Sequence, residues 1–254
     1  MKKLFLLLAA AMLLGAGLWS CGKDDDNNNE GTGNTYVDPN PQNPGDDPQP
    51  QPQPQPVGDW VDLGLPSGLL WATRNVGATS PEDYGNYYAW GETEPRDYYD
   101  WEHYRYGIGY CDELIKYCTN SEYGHEDFVD NLTVLQAGDD AAAANMDDGA
   151  RTPTKEEWEE LFDNTTFSWT SMNGVPGGKF TASNGNTLFM PAAGYHVNDG
   201  SYFVSVRGYY WSSSLDAEHP QFAWYSSFSS TFCEMCSGSA RCHGFTVRAV
   251  RSAQ

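Results

Sequence analysis

The stretch that most constrains the fold is a dense aromatic run at 208–214, which reads Gly-Tyr-Tyr-Trp-Ser-Ser-Ser. Aromatic residues favour strands, and the glycine that starts the run and Pro220 beyond its end delimit one buried strand. Two further runs follow at 222–228 and 244–250. In the last run, residues alternate between two faces with the period of a half-buried antiparallel strand. The C-terminal third is therefore predicted to form a sheet.

The N-terminus has the residue order of a secretory signal peptide. Lys2 and Lys3 precede an apolar run, 4–18, that is too short to span a bilayer comfortably. The run leads into Leu-Trp-Ser-Cys, which resembles the bacterial lipobox, where signal peptidase cuts before a cysteine that then carries the acyl chains. We therefore expect residues 1–20 to be a lipoprotein signal peptide and Cys21 to be lipidated. An ordinary signal peptide with an unrelated cysteine is the alternative.

Residues 21–56 are predicted to be the lipid anchor followed by an acidic and proline-rich stalk. Three aspartates at 24–26 resemble the acidic export signal that Bacteroidetes lipoproteins carry behind the lipidated cysteine, which routes them to the outer face of the outer membrane. A solvated spacer is the other interpretation of this run. The Gln-Pro repeat at 48–56 favours polyproline II, an extended and semi-rigid conformation. The expected location is the outer membrane, lipid-anchored and exposed at the cell surface.

Charge limits the partners of this chain. Its formal net charge is −21, and removal of Lys2 and Lys3 with the signal peptide makes it −23. A protein this acidic repels phosphate backbones and anionic lipid, which excludes nucleic acid as a partner. Aromatic residues make up 14% of the sequence, so the core is expected to depend on Trp and Tyr more than on Leu and Ile. The oligomeric state is left open.

The remaining residues, 57–254, are numerous enough for one domain with a sizeable core. A Leu-Pro-Ser-Gly turn at 65–68 leads into a predicted strand at 69–76. After a long polar and aromatic loop, residues 132–144 have good helix propensity, and Asn131 is the candidate cap of this first helix.

A second helix is specified more sharply. Thr154 and Glu157 have the spacing of a capping box, and Trp158, Leu161 and Phe162 share the face that we expect to pack against the sheet. Beyond this helix, glycine-containing pairs predict hairpin turns between short strands. These pairs are Asn173-Gly174, Gly177-Gly178 and Asn184-Gly185, and the strands lie around 179–181 and 187–190.

Six segments of the globular part resemble, in chain order, the Fibrobacter succinogenes major paralogous domain. They lie at 63–73, 84–92, 151–161, 191–194, 208–214 and 247–250. That family is abundant in Bacteroidetes surface lipoproteins and is similar to the fold shared by formylglycine-generating enzymes and C-type lectin-like domains. The resemblance implies an α+β, C-type lectin-like mixed fold with mainly antiparallel strands, two helices and long loops, in which both chain ends meet in one sheet. It implies no established activity.

The cysteines permit disulfides, since an exported protein meets an oxidising environment. Of the six cysteines, Cys21 is assigned to the lipid, which leaves an odd number. Cys111 and Cys118 are separated by a short loop that closes readily, and we predict a disulfide between them that holds the long loop. A second bridge would come from Cys233, Cys236 and Cys242, and one thiol would remain free.

A metal site is the alternative for the C-terminal cysteines. Cys233-x-x-Cys236 together with Cys242 and His243 has spacing that can suit zinc, and formylglycine-generating enzymes hold copper with a pair of cysteines. The spacing does not match that copper pair, and no signature of a substrate groove accompanies it. The disulfide interpretation is therefore preferred.

Calcium is a second metal candidate, because C-type lectin-like domains often bind it through loop carboxylates. Asp139 and Asp140, and the pair at 147–148, are the candidate ligands. No Asp-x-Asp-x-Asp-Gly loop is present, and acids on a solvated helix face explain both pairs equally well. Apart from this calcium candidate, no cofactor is expected.

Aromatic side chains at the surface could bind sugars, because the apolar face of a sugar ring suits the face of Trp or Tyr. The long loop supplies the candidates for ligand binding, which are Tyr98, Tyr99, Trp101, Tyr104 and Tyr106. The tryptophans in periodic segments are expected to be core residues. These are Trp71, Trp90, Trp158, Trp211 and Trp224.

The preferred functional hypothesis is a cell-surface lipoprotein that displays a lectin-like adhesion domain for a glycan or protein ligand, since long loops on a rigid scaffold commonly carry binding function. No catalytic residues are identified. A metal-dependent enzyme related to the formylglycine-generating enzymes is one alternative, and a structural or fimbria-associated subunit without its own ligand is another.

Overall fold

The computed structural model describes residues 59–146 and 149–253. The predicted signal peptide, anchor and stalk lie outside these residues, as does the aspartate pair at 147–148. Strands account for 39% of the structure and helices for 12%, which confirms the sheet-rich α+β fold.

The helices in the described part are α1 (Ala141–Asn145) and α2 (Lys155–Asn164). The strands there are β1 (Trp60–Asp62), β2 (Leu69–Asn75), β3 (Thr165–Met172), β4 (Val175–Ala182), β5 (Thr187–Pro191), β6 (Tyr195–Val197), β7 (Gly200–Tyr202), β8 (Gly208–Leu215), β9 (Phe222–Phe228), β10 (Cys233–Ala240) and β11 (Arg248–Ser252).

The first and last strands share a sheet, as the family resemblance implies. Its order is β1-β2-β11, and both pairings are antiparallel. Asn75 pairs with Arg248 in the register, and the Arg248 Nε also donates to the Asn75 side chain at 3.0 Å. The two ends of the domain are therefore joined by backbone and side-chain hydrogen bonds.

The aromatic run at 208–214 forms β8, whose eight residues are all buried. It pairs with β9, so two of the three predicted C-terminal runs share a sheet. The third strand of that sheet is β10, which was not predicted, and the run at 244–250 instead leads into β11 of the first sheet. Gly208 begins the strand because there is no room for a larger residue at this position. A Cβ there would lie 2.2 Å from the Phe228 ring, so only glycine leaves room for this cross-strand neighbour.

The last apolar run departs from its prediction. Thr246 and Arg248, on the expected solvent face, have no exposed surface, so the run is buried on both faces rather than half-buried. Only its residues from Arg248 onward belong to a strand, β11, and 244–246 form isolated bridges. The Arg248 guanidinium donates to the Ala72 carbonyl at 2.9 Å and to Asn75, which lets a charged side chain occupy the core.

A third sheet has the order β3-β4-β5 and contains two of the three predicted hairpins. Asn173 and Gly174 take positive φ at the first turn, and Gly185 does so at the second. The expected turn at Gly177-Gly178 is wrong, because both glycines lie inside β4. A Cβ on Gly178 would lie 2.6 Å from the Phe167 ring, so these glycines admit aromatic neighbours rather than turn the chain.

The second predicted helix is confirmed in position and capping. The Thr154 hydroxyl accepts from the Glu157 N–H at 3.3 Å, and the Glu157 carboxylate accepts from the Thr154 N–H at 2.8 Å. Trp158 and Leu161 are fully buried, and the Trp158 indole donates to the Trp211 carbonyl of β8 at 3.3 Å. The helix therefore packs on the C-terminal sheet.

The first predicted helix is much shorter than expected. Val134 forms a β-bridge with Ser214, a 3₁₀ turn follows at Ala137–Asp139, and α1 begins only at Ala141. Asp140 caps it, whereas Asn131 has a φ of 57° and caps nothing. Hydrogen bonding to β8 overrides the helix propensity of this segment. No helix in the described part is long and apolar enough to cross a membrane.

Candidate functional site

A solvent-open cleft of about 590 Å³ lies where the end of β8 meets the first turn of α2. Thr133 and Val134 line it and are held to β8, because the Leu215 N–H donates to the Thr133 carbonyl at 2.8 Å. Lys155 and Glu156 of α2 also line it. The Lys155 N–H donates to the Ser214 hydroxyl at 3.0 Å, which fixes the start of α2 against the floor of the cleft.

Trp224 of β9 lines this cleft and is only partly buried. The prediction that it is a core residue is therefore wrong, because alternation along β9 turns Ala223 inward and Trp224 to the opposite face. The β8–β9 register shifts between Trp211 and Leu215, and within this irregular stretch the Ser212 hydroxyl donates to the Trp224 carbonyl at 2.9 Å. This hydrogen bond fixes the backbone of Trp224, whose side chain lines the cleft.

Lys155 lies against the Trp224 ring, with its ammonium nitrogen 3.7 Å from the ring centre. The same nitrogen is 3.7 Å from a Glu159 carboxylate oxygen. A cation over an indole face contributes about 0.5–1 kcal/mol at an exposed site. The pair fixes the orientation of the indole and adds a hydrogen-bond donor beside it.

A tight turn closes the end of the cleft. The Asp216 carboxylate accepts from the Glu218 N–H at 3.1 Å and from the His219 N–H at 3.3 Å. The His219 ring is more than half exposed, with its Nδ1 3.6 Å from Asp216 Oδ2. The Asp216 carboxylate therefore stabilises the backbone of the turn, and the side chains of Glu218 and His219 line the cleft.

The cleft combines one indole with polar side chains of both charges. Glu156, Asp216 and Glu218 outnumber Lys155, so the local charge is negative and an anionic ligand is disfavoured. An indole with the Lys155 ammonium over one face and carboxylate acceptors in the same cleft suits a neutral polyhydroxylated ligand on the rest of the ring, because apolar contact and hydrogen bonding act together.

The carboxylates predicted to bind calcium are occupied by protein donors. Asp139 accepts from the Tyr106 hydroxyl at 2.6 Å, the Tyr117 hydroxyl at 2.5 Å and the Lys116 ammonium at 2.5 Å. Burial raises the pKa of this carboxyl, but these donors outweigh burial and the pKa is lowered from its ordinary value. Asp140 caps α1 and accepts from the Thr152 N–H at 2.8 Å. Both carboxylates therefore have structural roles, Asp139 as the acceptor for three side-chain donors and Asp140 as the cap of α1.

The aromatic residues predicted to bind a ligand are mostly internal. Tyr99, Tyr104 and Tyr106 are buried, so their assignment to an exposed binding surface is wrong. Each hydroxyl has a partner, as in the Tyr104 hydroxyl that donates to the Trp90 carbonyl at 2.7 Å. Tyr98 is 41% exposed and Trp101 is partly exposed, and these two stay as candidates in the loop.

The predicted disulfide is not formed in this structure. Cys111 is exposed and Cys118 is buried, and the Cys118 thiol donates to the Asn120 carbonyl at 3.1 Å. The long loop is instead held by Arg241, which has no exposed surface. Its guanidinium donates to backbone carbonyls of Lys116, Tyr117 and Pro220 and to the Tyr104 hydroxyl, at 2.8 to 3.0 Å.

The C-terminal metal candidates are not gathered into a ligand set. No group of three His, Cys, Asp or Glu residues in the described part is placed to hold a metal ion. Burial raises the pKa of the Cys233 and Cys242 thiols to about 12, which disfavours the thiolate that a metal requires. Burial also lowers the pKa of His243 to about 4, and its Nδ1 lies 3.2 Å from the Ser239 hydroxyl.

Comparison of the chain with protein-family models, with curated proteins and with solved structures gives no match. The resemblance to the Fibrobacter succinogenes major paralogous domain therefore stays a prediction.

The sequence pattern around the cleft residues does not distinguish them from ordinary strand and loop residues. Trp224 lies in a run of strand-forming residues, which favours burial, and nothing in the run indicates which face is open. Asp216 and His219 are separated by three positions and by a turn, a pattern common in any loop. The only available signal was Pro220 at the end of the turn, which marks a loop without assigning it a role.

Proposed function

We propose that this protein is a lipid-anchored outer-membrane protein, exposed at the cell surface, whose domain binds a neutral glycan in the cleft beside Trp224. The observation that carries the proposal is the partly exposed indole at the wall of an open cleft of about 590 Å³. Stacking of a sugar on the ring face that Lys155 leaves uncovered would bury apolar surface, and Glu156, Glu218 and Lys155 would bond its hydroxyls.

The location rests on the N-terminal sequence. The basic and apolar residues of 1–20 support export, Cys21 supports acylation, and the aspartates at 24–26 support transfer to the outer face. Cys21→Ala should release the protein into the soluble fraction. Replacement of all three aspartates by alanine should leave it anchored but protected from protease added to intact cells. If this triple variant is digested as readily as the parent, the surface assignment loses its support.

The ligand is tested with the full chain carrying Cys21→Ala, so that no acyl chain is attached. A glycan array of uncharged and acidic glycans identifies the ligand, and titration calorimetry then measures its affinity. Trp224→Leu should reduce the affinity about tenfold, because an aromatic contact contributes up to about 1.5 kcal/mol and about 1.4 kcal/mol corresponds to a factor of ten.

Trp101→Leu is the matched control, since Trp101 is also a partly exposed tryptophan but lies in the loop where ligand binding was predicted. It should keep the parent affinity. If Trp101→Leu abolishes binding and Trp224→Leu does not, the ligand binds at the loop and the cleft assignment is wrong. Absence of binding to any glycan would contradict the proposed ligand class.

A further inference from the structure

Strand β3 is an open edge of its sheet. It pairs with β4 over eight consecutive residues, from Thr165 to Met172, without any register shift. Among the described residues, its other edge pairs with no strand. The backbone groups along that edge are therefore available to a further strand.

The composition of β3 lacks the features that normally block such an edge. Proteins protect edge strands with charges, proline, bulges or short length. The sequence Thr-Thr-Phe-Ser-Trp-Thr-Ser-Met contains no charge and no proline, although the whole chain carries a formal charge of −21. A long, regular and uncharged edge on so acidic a protein requires an explanation.

Most other edges of the described sheets are short, irregular or already partly paired, and β6 and β7 have only three residues each. The chain at Arg151 pairs with β11 through Val250, and Val134 forms a bridge to β8. On β5, the Tyr210 hydroxyl donates to the Pro191 carbonyl at 2.7 Å. The β10 edge strand is interrupted by an irregularity between Cys236 and Ser239, and β1 has only three residues.

Two aromatic side chains on β3 are incompletely covered. Phe167 and Trp169 point to the core side, where Phe167 lies 5.3 Å from the Phe180 ring, yet both are only partly buried. They lie at the margin of the sheet, so a strand added beside β3 would cover what remains exposed.

We propose that β3 pairs with β3 of a second copy of this chain, antiparallel and symmetric about Ser168. In such a pair, the residue on the two-fold axis lies opposite its own copy. Every other residue lies opposite the residue that is equally far from the axis on the second chain. With Ser168 on the axis, Phe167 of each copy faces Trp169 of the other, which makes two aromatic cross-strand pairs on the core side. The result is one continuous six-strand sheet that crosses the two-fold axis.

The negative charge of each copy opposes this association, so the proposal has a distinctive dependence on salt. Repulsion between two acidic copies is screened as ionic strength rises, whereas backbone pairing and aromatic contacts persist. The dimer should therefore strengthen with added salt. Attachment to a shared membrane would also raise the local concentration of copies and favour a weak dimer.

The test is sedimentation velocity of the full chain with Cys21→Ala, over a concentration series at low and high NaCl. The parent should show a monomer–dimer equilibrium that shifts toward dimer at high salt. Ser168→Lys places two like charges together at the axis and should raise the midpoint concentration about fivefold. Ser168 is exposed but lies opposite Lys179 of β4, so the monomer should lose up to about 1 kcal/mol of stability, which thermal denaturation measures separately from association.

Ser183→Lys is the matched control, because Ser183 is an exposed serine in the turn between β4 and β5 of the same sheet. It should dimerise like the parent. A second measurement uses Ser168→Cys, whose Cα atoms would lie about 4.5–5.5 Å apart across the axis, within disulfide range. Diamide should then cross-link two copies through residue 168, identified by peptide mass mapping. A parent that stays monomeric at every salt and concentration, or a Ser168→Lys variant that dimerises like it, overturns the proposal.

Discussion

The guanidinium of Arg241 lies 5.0 Å from the centre of the Trp90 ring and has no exposed surface. No carboxylate of the described residues pairs with it, and its donors go to three backbone carbonyls and one tyrosine hydroxyl. One buried cation thus joins the long loop, through Lys116 and Tyr117, to the turn at Pro220.

Replacement of this arginine should be severely destabilising. Arg241→Lys keeps the charge but cannot reach four acceptors, so buried carbonyls lose their donors and the free energy of unfolding should fall by about 3 kcal/mol or more. Urea denaturation measures the change. The exposed Arg105 supplies the control, and Arg105→Lys should alter stability by less than about 0.5 kcal/mol. Equal midpoints for the two variants would show that Arg241 does not hold the loop.

Loss of the capping box of α2 should lower the stability of the protein moderately. Thr154→Ala removes the acceptor for the Glu157 N–H and should reduce the free energy of unfolding by about 1 kcal/mol. Thr154→Ser keeps the hydroxyl and should stay close to the parent in the same denaturation experiment. A loss of similar size in both variants would indicate that the threonine methyl group, rather than the cap, is responsible.

Acid stability should depend on His243. Burial lowers its folded-state pKa to about 4 from an ordinary value of 6.5. Between these values the unfolded chain takes up a proton that the folded protein does not, so the free energy of unfolding falls as the pH is lowered from 6.5 toward 4. His243→Gln should flatten this part of the profile, measured by denaturation at a series of pH values. The more exposed His219 provides the comparison, and a His219→Gln profile as flat as that of His243→Gln would contradict the assignment.

Thiol reactivity should distinguish the five cysteines of the described part, all of which are free in the structure. In the folded protein, iodoacetamide should label Cys111 first, because it is exposed, while Cys118 and Cys242 should react only after denaturation. Peptide mass mapping reads the outcome. A Cys111–Cys118 disulfide in the purified protein would restore the interpretation made from the sequence.

Patterns that depend on neighbouring residues predicted the local structure well. The capping box located α2 because both hydrogen bonds of the box lie within four residues. The Asn-Gly pairs located two hairpins because the left-handed backbone of the turn restricts the residue type. The Gly177-Gly178 prediction failed because glycine also makes space for aromatic rings, which depends on the neighbours across the sheet.

Long-range contacts account for the remaining errors. The segment near Val134 has helix propensity, but hydrogen bonds to β8 are available to it only in the folded domain. Tyr99 and Tyr104 were assigned to the surface because their loop is polar in sequence, whereas Arg241 draws that loop into the core from more than a hundred residues away. The exposure of Trp224 depends on the same kind of information, because one face of β9 opens only where α2 begins.

The pairing of β2 with β11 sets the order in which this chain can be completed. Asn75 and Arg248 are separated by 173 positions, so the contact between them closes nearly the whole domain. Because a chain is synthesised from its N-terminus, Trp71 and its neighbours are made long before their C-terminal partner strand. The last five-residue strand therefore completes the sheet, and a chain truncated before it would leave one edge of β2 without its partner strand.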